Sequence, residues 1–76
     1  MKIEILGMGC QKCGNLYENA KKAVVELGLT PEIVKVEDIK EIMKYGVMAT
    51  PALVVDGVVK VSGKVPGKDE IKGYLL

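Results

Sequence analysis

Both cysteines of the chain lie in one stretch, Gly9-Cys10-Gln11-Lys12-Cys13-Gly14, and that stretch falls where one periodicity gives way to another. Before it, Lys2 to Leu6 alternates apolar and charged side chains, the period-2 pattern of a strand, and Gly7 and Gly9 then break the strand into a turn. After it, Leu16, Tyr17, Ala20, Ala23, Val24 and Leu27 recur at three- and four-residue intervals, with Glu18, Asn19, Lys21, Lys22 and Glu26 on the other side. The pair therefore marks a strand-to-helix seam. At a helix N-terminus the backbone N–H groups that lack intrahelical partners, together with the macrodipole, favour an anion. Cys10 is accordingly expected to be the more acidic thiol. Because the thiolate is both the nucleophile and the metal ligand, the chemistry is expected to begin there.

A chain of 76 residues buries only about 60% of the surface that its unfolded form exposes, so its core has to be simple. With no Phe, no Trp and three Tyr, that core must be built from Ile, Val, Leu, Ala and Met, which suits a small sheet covered by short helices. Eleven lysines against ten acids leave a formal net charge of +1. The lysines are spread along the chain and mixed with acids, so no basic stripe points to nucleic acid. Two cysteines this close cannot form the disulfide framework of a small secreted domain, and they close too short a loop to restrict the unfolded chain. The pair is reactive or metal-binding. Met1-Lys2-Ile3-Glu4-Ile5 carries an acid inside a short apolar stretch, and no segment approaches membrane-spanning length. The expectation is a cytoplasmic monomer, one domain over residues 1–76, with neither membrane nor nucleic acid as partner.

The remaining elements follow from local signals. Gly28 is placed to end the first helix, and Thr30-Pro31 marks a turn before the β-branched run Glu32 to Val36. Strand, helix and strand with short links imply a parallel crossover. Asp38 followed by Glu41 has capping-box spacing, and Ile39, Ile42 and Met43 supply the apolar face of a short helix ending near Gly46. Ala52 to Val55 and Val58 to Ser62 flank Asp56-Gly57, a type I′ hairpin signal. Lys68-Asp69-Glu70 opens a last short helix whose Ile71, Tyr74 and Leu75 face inward, weakened by Gly73. The predicted order is βαβαββα, an α/β arrangement with a four-stranded mixed sheet and three helices.

These residues resemble the thioredoxin superfamily in its minimal, glutaredoxin-sized form. The likeness rests on the C-x-x-C after the first strand, on Tyr45-Gly46-Val47-Met48-Ala49-Thr50-Pro51-Ala52-Leu53-Val54-Val55 before an Asp-Gly hairpin, and on Val61-Ser62-Gly63 at the last strand. It is closest to the compact archaeal and bacterial redox-active disulfide proteins. The resemblance implies a dithiol–disulfide oxidoreductase in which Cys10 attacks, Cys13 resolves, and Pro51 is a cis-proline packed against the disulfide. It further implies that Thr50 offers its backbone to an extended protein substrate, that Glu4 relays a proton to Cys13, and that no bound cofactor is needed. Electrons would then come from a separate, flavoprotein-type disulfide reductase. Gln11-Lys12 stands where thioredoxins have Gly-Pro, and Ser62-Gly63-Lys64-Val65 does not reproduce the Gly-Gly-Asp glutathione site of glutaredoxins.

Read from the residues alone, several of these positions have plainer roles. Only about 5–6% of X-Pro bonds in folded proteins are cis, so Pro51 by itself reads as trans. Alternation puts Glu4 beside Lys2 as a solvated strand residue. Lys12 adds a positive charge that favours a thiolate, although an exposed side chain contributes little. The main rival reading uses Met8-x-Cys10-x-x-Cys13, which also resembles the loop of heavy-metal-associated domains, where two thiolates hold a soft ion such as Cu(I). That fold runs βαββαβ. A tetrahedral zinc site is not expected from two cysteines and no histidine. A third reading is a sensor that forms a disulfide without turnover.

Overall fold

The structure is a computed structural model that describes residues 1–8, 11–47 and 49–76. Expectations placed on Gly9, Cys10 and Met48 lie outside the described residues. Strand β1 (Lys2–Leu6) is followed by α1 (Gln11–Glu26), β2 (Glu32–Val36), α2 (Ile39–Lys44), β3 (Ala52–Val55), β4 (Val58–Ser62) and α3 (Lys68–Leu75). The sheet order is β2-β1-β3-β4. Strand β1 runs parallel to β2 and antiparallel to β3, and β3 runs antiparallel to β4. The sheet is therefore mixed and four-stranded, in the predicted order, with the chemistry-bearing strand β1 at its centre.

Strict alternation decides which face each strand residue serves. Ile3 and Ile5 of β1 and Leu53 and Val55 of β3 pack with Leu16, Ala20, Ala23 and Val24 of α1 and Ile71 and Leu75 of α3. Leu6, Ala52 and Val54 point to the other face, where Ile42 of α2 covers them. Two helices thus lie on one face of the sheet and one on the other. The hydroxyl-free, small-residue stripe Ala20 and Ala23 is completely buried and lets α1 approach the sheet closely.

The ends of these elements are set by local chemistry. Gly28 has φ +70°, and its N–H bonds to the Val25 carbonyl at 3.1 Å while the Leu29 N–H reaches Val24 at 2.9 Å. This is the paired bonding of a Schellman motif, which only a residue at ease in the left-handed region closes without strain. The hairpin turn has φ +49° at Asp56 and +83° at Gly57, as a type I′ turn requires. Asp56 also anchors the hairpin to the start of β1, accepting from the Lys2 N–H at Oδ1 (2.8 Å) and donating to the Lys2 carbonyl (2.8 Å). In β4 the register shifts so that Val54 pairs with Val59 while Leu53 pairs with Val61, leaving Lys60 as the extra residue of a bulge.

Helix α2 departs from its sequence pattern in two respects. Of the expected apolar face, Ile42 is buried, but Ile39 and Met43 are 53% and 68% exposed. The helix has six residues, and the sheet face beneath it offers only the patch of Leu6, Ala52 and Val54, with Val36, Tyr45, Val47 and Val59 around it. One apolar position fills that patch. The capping box gives way to a simple N-cap: Asp38 Oδ1 accepts from the Lys40 N–H at 2.9 Å, two residues on and not three, while the Glu41 carboxylate turns forward to Lys44 at 3.0 Å. Glu41 and Lys44, three residues apart, are neighbours on the exposed side of the helix, where such a pair contributes about 0.2–0.5 kcal/mol.

Candidate functional site

The site is built at the upper end of β1, where three segments converge. Cys13 is in the first turn of α1 and is 7% exposed. Gly7 continues β1, and its N–H bonds to the Val36 carbonyl of β2 at 3.0 Å. A Cβ placed on Gly7 would overlap the Cys13 Sγ, lie 3.2 Å from the Cys13 Cβ and come within 3.9 Å of the Pro51 Cα. Cys13 and Pro51 therefore both border the side-chain position of Gly7, and the sulfur occupies the space that a side chain there would take. Helix α1 starts at Gln11, the seam that the sequence predicts. Cys10, expected there as the acidic thiol, lies outside the described residues.

Pro51 is completely buried, and the Thr50–Pro51 peptide is cis, the geometry that the resemblance implies. The Pro51 carbonyl accepts from the Gly63 N–H at 2.8 Å, and Gly63 has φ +73°, with the Ala49 Cβ 3.0 Å from where a Cβ on Gly63 would sit. The end of β4 thus holds the loop that leads into β3. Thr50 is exposed beside this loop, and Lys12 is exposed on α1.

Glu4 differs from the solvated strand residue that alternation suggests. Its side chain is 12% exposed, and its Oε2 accepts a hydrogen bond from the Tyr45 hydroxyl at 2.7 Å. Lys2 Nζ stands 4.0 Å from the other oxygen. The reason is positional: Glu4 shares its face of β1 with Leu6, and that is the face on which Ile42 of α2 and, after it, Tyr45 and Val47 pack. Donation to Glu4 raises the Tyr45 hydroxyl above its ordinary pKa of 10, helped by burial and by the negative charges of Glu4 and Glu41.

Sequence reasoning missed Tyr45 as a partner of Glu4, because a tyrosine at a helix C-cap carries no periodic signal. It read Gly7 only as a strand breaker. It also missed a hollow of about 200 Å³ lined by Met8, Ile39, Ile42, Met43, Val47 and Thr50, in which Met8 is 65% exposed. The two α2 residues left uncovered by the sheet reappear here, next to Thr50.

The Cu(I)-carrier reading is not favoured. Helix α2 separates β2 from β3 and the last element is α3, so the order differs from βαββαβ. Among the described residues no helix is long and apolar enough to cross a membrane.

The comparisons with known proteins agree with this geometry. Residues 1–76 match the family described as thioredoxin domain. The chain is 49% identical over 77 aligned positions to a protein named thioredoxin from Methanocaldococcus jannaschii, covering 96% of this chain and 88% of that one. It is 45% identical over 75 positions to a protein named thioredoxin from Methanothermobacter thermautotrophicus, covering 99% and 97% of the two chains. With the strand order, the cis-proline loop and the buried second cysteine of C-x-x-C all in place, the chain belongs to the thioredoxin family.

Proposed function

We propose that this thiol–disulfide oxidoreductase works through Cys10 as the attacking thiolate and Cys13 as the resolving thiol, on protein disulfides presented as an extended segment beside Thr50 and Pro51. The observation that carries the reading is the junction at Gly7, where the second sulfur of the C-x-x-C meets the cis-proline loop. In the forward step the Cys10 thiolate attacks one sulfur of the substrate disulfide. A mixed disulfide forms, and the other substrate sulfur leaves as a thiolate that takes up a proton. Cys13 then loses its proton and attacks the Cys10 sulfur, releasing the second substrate thiol. The substrate has gained two electrons and two protons, and the protein is left with a Cys10–Cys13 disulfide.

Thr50 lies just outside the paired part of β3, so its backbone is available to an extended segment in the manner of β-augmentation. The hollow beside it offers apolar contact to a substrate side chain. Its volume is below the roughly 300–1,000 Å³ of small-molecule sites, which suits a single side chain. Lys12 favours the thiolate at Cys10, and Glu4 moves the proton of Cys13. A separate disulfide reductase of the flavoprotein type returns the electrons, no bound cofactor takes part, and the protein acts as a single-domain monomer. A dithiol kept ready for exchange belongs in a reducing compartment, which supports a cytoplasmic location.

A trapping comparison tests the assignment. Cys10→Ser and Cys13→Ser variants are incubated with a disulfide-bearing protein, and adducts are measured by non-reducing mass spectrometry. A stable mixed disulfide with Cys13→Ser alone is the expected result. Adducts with neither variant, or with both at equal rates, contradict it.

A further inference from the structure

We propose that Gly7 is a positioning residue for the second thiol: its missing side chain is the seat in which the Cys13 sulfur rests, and that seat sets how readily Cys13 attacks the mixed disulfide. The proposal rests on the exchange reading above and goes beyond it by assigning a residue outside the C-x-x-C and the proline loop.

The position of a Cβ on Gly7 is already taken by Cys13 Sγ, with Cys13 Cβ only 3.2 Å away, so even the smallest side chain must displace the sulfur. Neither partner can retreat. The Gly7 backbone is held by its bond to Val36 at 3.0 Å, one step beyond the Leu6–Val36 pair that ends the β1–β2 ladder. Cys13 belongs to the first turn of α1, whose Leu16, Ala20, Ala23 and Val24 are locked into the core. The only soft coordinate left is rotation about the Cys13 Cα–Cβ bond, and helical backbone restricts that rotation to few rotamers. Pro51 closes the third side, its Cα 3.9 Å from the same point. Gly7 is itself buried, so the sulfur is seated on backbone, and no φ requirement is attached to this glycine. Its smallness serves close approach.

A sulfur pushed from this seat stays on the same helix but points elsewhere, which affects the resolving step and leaves the first attack by Cys10 alone. Misplacement of a reacting group by about 1 Å costs up to about 10²-fold in rate. Gly7→Ala is therefore expected to slow release of the mixed disulfide by about ten- to hundredfold, while adduct formation by Gly7→Ala in the Cys13→Ser background matches that of Cys13→Ser itself. The adduct is formed with a disulfide-bonded model peptide, and both phases are followed by acid quench and mass spectrometry. A purely structural role for Gly7 would slow both phases together.

A second measurement covers poor folding of the variant. Urea unfolding of Gly7→Ala, Cys13→Ala and the double variant forms a cycle. Removing the sulfur should restore most of the midpoint that Gly7→Ala loses. Release within twofold of wild type overturns the positioning role, and additive losses in the cycle overturn the seat. If Cys13→Ser traps no adduct at all, the exchange reading fails first and the role in resolution falls with it, whereas the unfolding cycle still decides whether the sulfur is seated on Gly7.

Discussion

Tyr45 and Glu4 show what a single residue's surroundings add to its place in a pattern. Alternation along β1 predicts that Glu4 shares a face with Lys2, and it does, but that face carries a tyrosine hydroxyl 2.7 Å from the carboxylate. Period-2 reasoning names the face and says nothing of what covers it. The cysteine pair was legible because two sulfurs at fixed spacing are meaningful on their own, and the Gly7 seat was not, because it depends on α1 returning over the end of β1. The Tyr45 pKa lies above 10 through donation to Glu4, and the Tyr74 pKa is raised likewise through donation to Glu70. Spectrophotometric titration should therefore show late tyrosinate formation, and Tyr45→Phe should remove one late step. The sign follows from linkage: a hydroxyl whose folded pKa is raised stabilises the fold below the unfolded value near 10, and that contribution is lost as pH rises through the folded value. A Tyr45→Phe titration that keeps every late step contradicts the hydrogen bond.

At the scale of elements, the existence and order of all seven were legible, since each has its own periodicity and a chemical stop such as Gly28 or Asp56-Gly57. What α2 does with its apolar residues was not. A short helix shows several apolar positions, and only the extent of the sheet beneath decides which is covered. Ile42→Ala removes the one buried anchor of α2 and should cost about 2–5 kcal/mol of stability, measured by urea unfolding. Ile39→Ser and Met43→Ser remove exposed groups and should stay within about 0.5 kcal/mol of wild type. The same two variants should nonetheless slow adduct formation between the Cys13→Ser protein and a protein substrate, while leaving reaction with a small disulfide reagent unchanged. Rates with the protein substrate that match those of the Cys13→Ser parent would show that the hollow beside Thr50 takes no part in docking.

Across the whole molecule, the two helices on one sheet face are joined by charge as well as by the core. Glu26 at the end of α1 pairs with Lys68 at 2.6 Å and with Lys72, both on α3. Hydrogen bonds from Lys68 and then Lys72 hold the Glu26 carboxyl down to about 2 from its ordinary 4.5, and Lys72 is raised above its ordinary 10.5, chiefly by Glu26. A depressed carboxyl contributes stability that is present above the unfolded value and is lost as pH falls toward the folded one, so this link should weaken between about pH 4.5 and 2. Glu26→Gln should flatten the acid limb of stability against pH, measured by urea midpoints across that window. Because these groups are partly solvated, added salt should shrink the difference between variant and wild type. None of these long-range pairs was legible in the sequence, where Glu26 and Lys68 are ordinary members of two separate polar faces.

The proposed function requires the two cysteines to form one reversible electron carrier. It is tested most directly by mixing the fully reduced protein with a disulfide-bearing protein and mapping every disulfide after acid quench. Each substrate disulfide reduced should be matched by one intramolecular Cys10–Cys13 disulfide, reversed by a dithiol reductant. Substrate reduction without that bond, or oxidation that links Cys10 of one molecule to another as the end product, would contradict it.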